Sequence, residues 1–153
     1  MNFASVDEIL QFAIGKEKEA VGFYTDLSKK ESISSLKETF RELAQEEGKH
    51  LKLLTGLKKN KKAIDSYEIK EIQNLKISDY LTDLEYQEGM PIEDILTLAM
   101  KREEMSVKLY ADMASKTDDV EAEKLFNLLV QEEKEHKLAF EKMYDDYLQE
   151  QGN

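Results

Sequence analysis

The chain has no cysteine, no tryptophan, a single proline and only six glycines in 153 residues. The lack of cysteine excludes disulfides, thiolate zinc sites, iron–sulfur clusters and cysteine nucleophiles, so any bound metal must rest on oxygen and nitrogen. Scarce proline and glycine, with charged residues at 36%, disfavour turn-rich sheets and favour long solvated helices. No apolar run approaches the roughly 18 to 20 residues of a membrane span, and acids stand near the N-terminus where a signal peptide carries bases. A cytoplasmic protein without membrane contact is expected. The formal net charge of −11 repels phosphate backbones and anionic lipid, so nucleic acid is not an expected partner. The length suits one domain, residues 1–153, of all-α class.

Four helical runs can be read. Ser5 followed by Glu8 forms a capping box ahead of Ile9, Leu10, Ala13, Val21 and Tyr24, which predicts helix 1 over 5–30. Ser35 with Glu38 opens a run containing Phe40, Leu43, Leu54 and Leu57, which predicts helix 2 over 35–60. The cluster Lys58, Lys59, Lys61 and Lys62 suits the negative end of that helix's dipole. Pro91 fits a first helical turn and predicts helix 3 over 91–116. Asp118 with Glu121 can cap helix 4, predicted over 119–148 with Leu125, Phe126, Leu129, Leu138 and Phe140 as its apolar stripe. A crossover over 63–90 is too long for a turn and suits a connection along a bundle. Within it Ile72, Leu75, Ile77, Tyr80 and Leu81 are apolar enough to lie against the helices, in part as a short helix.

An offset of 86 residues aligns the chain with itself: Leu10 with Leu96, Ala13 with Ala99, Glu17 with Glu103, Val21 with Val107 and Tyr24 with Tyr110. The same offset carries Phe40 onto Phe126, Leu43 onto Leu129, Glu47 onto Glu133 and His50 onto His136, so two helical hairpins share one pattern. The only two histidines fall on equivalent positions, each three residues after a Glu that lies 30 residues beyond another paired Glu.

Helical geometry places these residues on faces. Measured from Glu17, Leu10 lies near about 20°, Ala13 near about −40° and Tyr24 near about −20°, so Glu17 stands amid the apolar face. Measured from Glu47, Phe40 lies near about 20°, Leu54 near about −20° and His50 near about −60°, whereas Glu46 falls near about −100° at the rim. The pair Glu47 and His50 is therefore preferred to Glu46 and His50, and likewise Glu133 and His136. Four inward carboxylates cannot remain uncompensated, because a buried charge costs several kcal/mol. Two divalent cations balance them, with two neutral imidazoles completing the ligand set. Oxygen-rich ligation with one nitrogen per ion favours two iron ions, with manganese or zinc as substitutes. A lone Glu-x-x-His is a weak signal; the doubled copy with upstream inward Glu residues is what carries the argument.

A Glu from each of two helices with Glu-x-x-His from each of the other two is the ferritin-like di-metal pattern. The sequence resembles the rubrerythrin branch of that superfamily through Ala13–Tyr24 (AIGKEKEAVGFY), Phe40–His50 (FRELAQEEGKH) and their counterparts Ala99–Tyr110 and Phe126–His136. The resemblance implies a four-helix bundle with Glu17 and His50 on one metal, Glu103 and His136 on the other, and Glu47 and Glu133 bridging. Tyr24 and Tyr110, seven residues beyond a terminal ligand, read equally as packing residues and as hydrogen-bond donors to ligating carboxylates. Two ferrous ions that each give one electron match a two-electron oxidant, hydrogen peroxide or dioxygen, and the resemblance further implies peroxidase activity. The chain lacks the cysteine-ligated rubredoxin segment of many relatives, so a separate electron-donor protein is expected. Ser106 stands three residues after Glu103, where rubrerythrins tend to offer an additional Glu, a departure that counts against peroxide selectivity and admits a symmetrical ferroxidase-like site. The alternatives are a non-catalytic iron-binding protein that sequesters metal, and a bundle that keeps the ligands but serves as an interaction module. A storage cage is disfavoured because the chain ends with helix 4.

Met100, Met105, Met113 and Met143 read as packing residues. Gly15 and Gly22 lie on the back of helix 1, flanked by Phe12 and Phe23, where their repeat partners are Lys101 and Lys108. Glycine disfavours helix unless a close approach compensates, so this face is expected to pack on another helix, as in a homodimer.

Overall fold

The computed structural model describes residues 1–30 and 35–152. They divide into two compact units, one of Asn2–Leu75 with Thr117–Ala122, the other of Lys76–Lys116 with Met1 and the chain from Glu123 on. No helix among the described residues is long and apolar enough to cross a membrane.

The N-terminal unit is built on α1 (Val6–Leu27) and α2 (Lys37–Lys58). Ser5 starts α1 as expected: its backbone is extended and its hydroxyl accepts from Glu8 N at 3.1 Å, satisfying a donor that the first turn cannot. Helix 1 ends at Leu27, short of the predicted boundary, with Ser28 as C-cap. The box expected at Ser35 does not form. Leu36 is the N-cap of α2 without a side-chain bond, and Glu38 instead pairs with Arg41 one turn on. Residues 31–34, between the two helices, lie outside the described ones. Leu10, Ala13 and Tyr24 of α1 and Phe40, Leu43 and Leu54 of α2 are buried, each large one contributing about 1.5–3 kcal/mol through the water it sheds. Lys58, at the end of α2, reaches Gln11 Oε1 at 2.5 Å and Asp7 Oδ2 at 3.9 Å, so the two helices run antiparallel.

The crossover is more helical than its composition suggests. Asn60 caps α3 (Lys61–Asp65) by accepting from Ala63 N at 3.2 Å, and α4 (Ile69–Gln73) follows. Ala63, Tyr67 and Ile72 are buried. Leu75 O accepts from Phe3 N at 3.2 Å and Gln73 O from Asn2 Nδ2 at 2.7 Å, tying the N-terminal residues to this segment, while Phe3 packs edge-on against Phe12. Thr117 joins the same unit through Ser66, their hydroxyls 2.6 Å apart. The cap of the last helix is Asp119, not Asp118: Asp119 Oδ2 accepts from Ala122 N at 2.9 Å, whereas Asp118 is exposed. Around Gly15 and Gly22 a Cβ would meet nothing within 4 Å, so the close approach expected there is not made among the described residues.

The C-terminal unit contains a 3-10 turn (Ile77–Tyr80), α5 (Ile92–Ser115) and α6 (Val120–Gly152) after its first residues. Tyr80 is buried, Ile77 half-buried, and Leu81, expected to lie inward, is 42% exposed. Before α5 the chain turns at Gly89, whose φ of 86° is left-handed and free of strain only without a Cβ; Met90 N closes the turn onto Gln87 O at 3.1 Å. Pro91 is the N-cap, one position earlier than a first-turn residue, with φ −61° and an extended ψ. Its carbonyl accepts from Asp94 N and Ile95 N. Ile95, Leu96, Ala99, Tyr110 and Met113 of α5 are buried, as are Phe126, Leu129 and Phe140 of α6. Met100, Met105 and Met143 are half-buried. Helix α6 continues to Gly152, past the predicted end, and the Tyr147 hydroxyl near its end donates to Glu93 in the first turn of α5.

Candidate metal centre

The inward acids and histidines gather as two triads, one in each unit. In the N-terminal unit α1 contributes Glu17 and α2 contributes Glu47 and His50, which are 2%, 1% and 1% exposed. His50 Nδ1 lies 3.9 Å from Glu17 Oε1 and 3.6 Å from Glu47 Oε2. In the C-terminal unit α5 contributes Glu103 and α6 contributes Glu133 and His136, also buried. His136 Nδ1 lies 3.6 Å from Glu103 Oε2 and 3.3 Å from Glu133 Oε1. Within each triad, one donor atom per residue can be chosen so that all lie within 4.8 Å of one another. Glu46 is exposed and Glu132 half-buried, outside both triads.

Local sequence explains this placement. Two antiparallel helices meet level by level, so residues seven before the Glu on one helix face residues seven after the Glu on the other. In the N-terminal unit Tyr24 stacks on Phe40 with ring centroids 6.1 Å apart, one side of the triad, while Leu10 and Leu54 occupy the matching positions on the other side. The C-terminal unit repeats it: Tyr110 lies against Phe126 at 6.0 Å, with Leu96 and Phe140 opposite. Each carboxylate pair is thus held between an aromatic layer and an apolar layer. Sequence reasoning placed Phe40 and Phe126 in apolar stripes but missed them as ring partners of the two tyrosines. Their distance from Glu47 and Glu133, equal and opposite to that of the tyrosines from Glu17 and Glu103, was the signal.

The donor set fits a divalent metal ion. With neutral imidazole, each triad carries two negative charges in a water-poor environment, and a protonated imidazole would neutralise only one of them. The Nδ1-to-carboxylate separations of 3.3 to 3.9 Å are wider than a direct hydrogen bond. They are near the donor–donor edge of about 3 to 3.6 Å that follows from metal–ligand bonds of about 2.0–2.2 Å. Two hard oxygens and one imidazole suit first-row ions of the iron and manganese kind.

Comparison with known proteins identifies the fold and the family. A solved structure from Thermotoga maritima, described as of a ferritin-like di-iron-carboxylate protein, superposes with a TM-score of 0.74 at 23% identity, over 96% of this chain and 99% of that one. A hypothetical protein from Pyrococcus furiosus superposes with a TM-score of 0.70 at 26% identity, over 95% of this chain and 91% of that one. No curated protein sequence matches the chain. The fold class is therefore all-α and ferritin-like, two helical hairpins joined by a long crossover. The Rubrerythrin family pattern matches residues 8–144, spanning both triads, and the chain belongs to the rubrerythrin family.

Proposed function

We propose that the two triads together hold a pair of iron ions and that the protein uses them to oxidise ferrous iron with hydrogen peroxide or dioxygen, as a rubrerythrin-like peroxidase or ferroxidase. The observation that carries this reading is the duplicated set of buried Glu, Glu and His donors, Glu17, Glu47, His50 and Glu103, Glu133, His136, in a chain of this family. Two ferrous ions, when bound, supply the two electrons that a peroxide consumes. The protein's own part is to fix the donors and keep bulk water out. Glu17 and Glu103 would serve as terminal carboxylates and Glu47 and Glu133 as shared ones, and the layers of Tyr24 with Phe40 and Tyr110 with Phe126 seal one side of each triad. The buried Tyr24 and Tyr110, each 1% exposed, would donate their hydroxyls to a ligating carboxylate and orient it as outer-shell donors do. With no cysteine in the chain, re-reduction falls to a separate electron donor. The setting is cytoplasmic.

Anaerobic loading with two equivalents of ferrous ion followed by peroxide tests the proposal. Fast oxidation that repeats over many cycles with an added reductant is expected. A single stoichiometric oxidation without turnover would replace the catalytic reading by iron sequestration. Natively purified protein without iron or manganese would count against both.

A further inference from the structure

We infer that Tyr80 is a one-electron donor site, at which a peroxide-derived oxidising radical is intercepted while the phenolic proton passes to Asp112. The site is separate from the metal centre and does not depend on it. Asp112 follows Glu103 by nine residues, about 180° around α5, so the pair lies on the side of that helix away from the buried acids. Composition narrows the choice of side chain: with no cysteine and no tryptophan, the seven tyrosines are the residues that most readily give up a single electron. A phenol that loses an electron becomes a very strong acid, so the electron leaves easily only where a base stands ready for the proton. Tyr80 has such a base, because its hydroxyl donates to Asp112 Oδ2 at 2.7 Å. Burial first, then the hydrogen bond and charge of Asp112 and the charge of Asp79, keep the hydroxyl protonated well above the usual tyrosine range, so the ring does not react as a phenolate. Lys108 Nζ, 5.9 Å from the ring centre, disfavours a positive ring in this water-poor setting. Electron and proton must therefore leave together. Tyr80 gives one electron to the oxidising radical, which is reduced to its anion; the O–H bond breaks, Asp112 becomes a carboxylic acid, and a neutral phenoxyl radical remains until a one-electron reductant restores it. The ring is only 3% exposed, whereas Asp112 is half-buried and can exchange the proton with water.

Flash photolysis of ruthenium(II) tris-bipyridine with a cobalt(III) quencher, in a solution of the purified full-length chain, generates a one-electron oxidant and needs no bound metal. Freeze-quenched electron paramagnetic resonance then reads the tyrosyl radicals. Tyr80→Phe should remove most of the signal, whereas equal sharing among the seven tyrosines would cost only one part in seven. Asp112→Asn keeps the shape of the partner but removes the base, and should slow formation of the Tyr80 radical by about tenfold or more. Deuterium oxide should slow the reaction of the wild type, a signature of proton movement that a merely structural tie between the turn and α5 would not produce. Retained helical circular dichroism establishes that the variants fold. Should Tyr80→Phe not fold, peptide mapping of the oxidised wild type decides instead: products centred on Tyr80 support the inference, and products spread over the tyrosines overturn it. A signal that falls by no more than the equal share in Tyr80→Phe, or radical formation as fast in Asp112→Asn as in the wild type, would overturn it, as would a wild type that yields no tyrosyl radical. None of these outcomes bears on the two-metal reading, which anaerobic iron loading tests separately.

Discussion

The Tyr80 hydroxyl donates to Asp112 Oδ2 at 2.7 Å, and Lys108 Nζ stands 5.9 Å from the centre of the same ring. The 3-10 turn of the crossover is thereby tied to α5 by a charge-assisted bond on a buried ring. Replacing Tyr80 by Phe keeps the ring and removes the bond, and should lower unfolding free energy by about 1–2 kcal/mol in urea titration. Pairing it with Asp112→Ala in a double-mutant cycle should return a coupling of about 1 kcal/mol. A coupling indistinguishable from zero would mean that the turn is held by packing alone.

Alkaline pH should weaken the fold through two tyrosines. Burial pushes the Tyr67 hydroxyl well above the usual tyrosine range, with Asp119 adding to the shift and the hydrogen bond with Thr117 opposing it. Burial does the same at Tyr80, reinforced by the hydrogen bond to Asp112 and by the charges of Asp112 and Asp79. In the unfolded chain both ionise near about pH 10, while in the folded chain they stay protonated. Above that pH the unfolded state binds fewer protons, so stability falls as pH rises; below it this contribution is fully present. Thermal melts should be insensitive to these groups up to about pH 9 and should drop beyond about pH 10. The drop should be visibly smaller in the double variant Tyr67→Phe with Tyr80→Phe, and an unchanged slope would clear these residues.

Gly15→Ala and Gly22→Ala should each stabilise the monomer by about 0.5–1 kcal/mol, since alanine is the better helix former and its Cβ meets nothing within 4 Å. Chemical denaturation at low protein concentration measures this. If the back of α1 is instead covered by a second copy of the chain, the same variants should lower stability at high concentration and shift the mass seen by light scattering.

Without metal, each triad is a liability. Glu17→Gln removes one of two neighbouring buried carboxylates and should raise the melting temperature of chelator-treated protein, by the equivalent of about 1–3 kcal/mol. Under ferrous ion the ranking should reverse, because the parent gains stability by binding and the variant gains less. A variant less stable than the parent in chelator would show that the carboxylates are compensated by some other means.

The long-range features of this protein were legible in its sequence where a period existed to read. Helical spacing marks α1, α2, α5 and α6, and the 86-residue offset pairs the six acids and histidines. Local choices were less legible. Leu36 starts α2 although Ser35 has the better capping chemistry, and Asp119 caps α6 although Asp118 stands at the expected spacing from Glu121. Propensity cannot rank such neighbours, because the contact of Thr117 with Ser66, distant in sequence, decides which acid faces the helix. The five-residue helices α3 and α4 are shorter than two turns and leave no periodic trace. The N-terminal tie of Asn2 and Phe3 to Gln73 and Leu75 joins residues about seventy positions apart, with no pattern that announces it.

The equal spacing of seven residues between each terminal Glu and its tyrosine, and between each Phe and its following Glu, makes the helices intolerant of changes in length. One residue inserted between Glu17 and Tyr24 would swing the ring about 100° around α1 and part it from Phe40, even if every original side chain were kept. Insertions and deletions are therefore confined to the crossover and the loops, while the outer faces of the helices are free to diverge, as Gly15 and Lys101 already have.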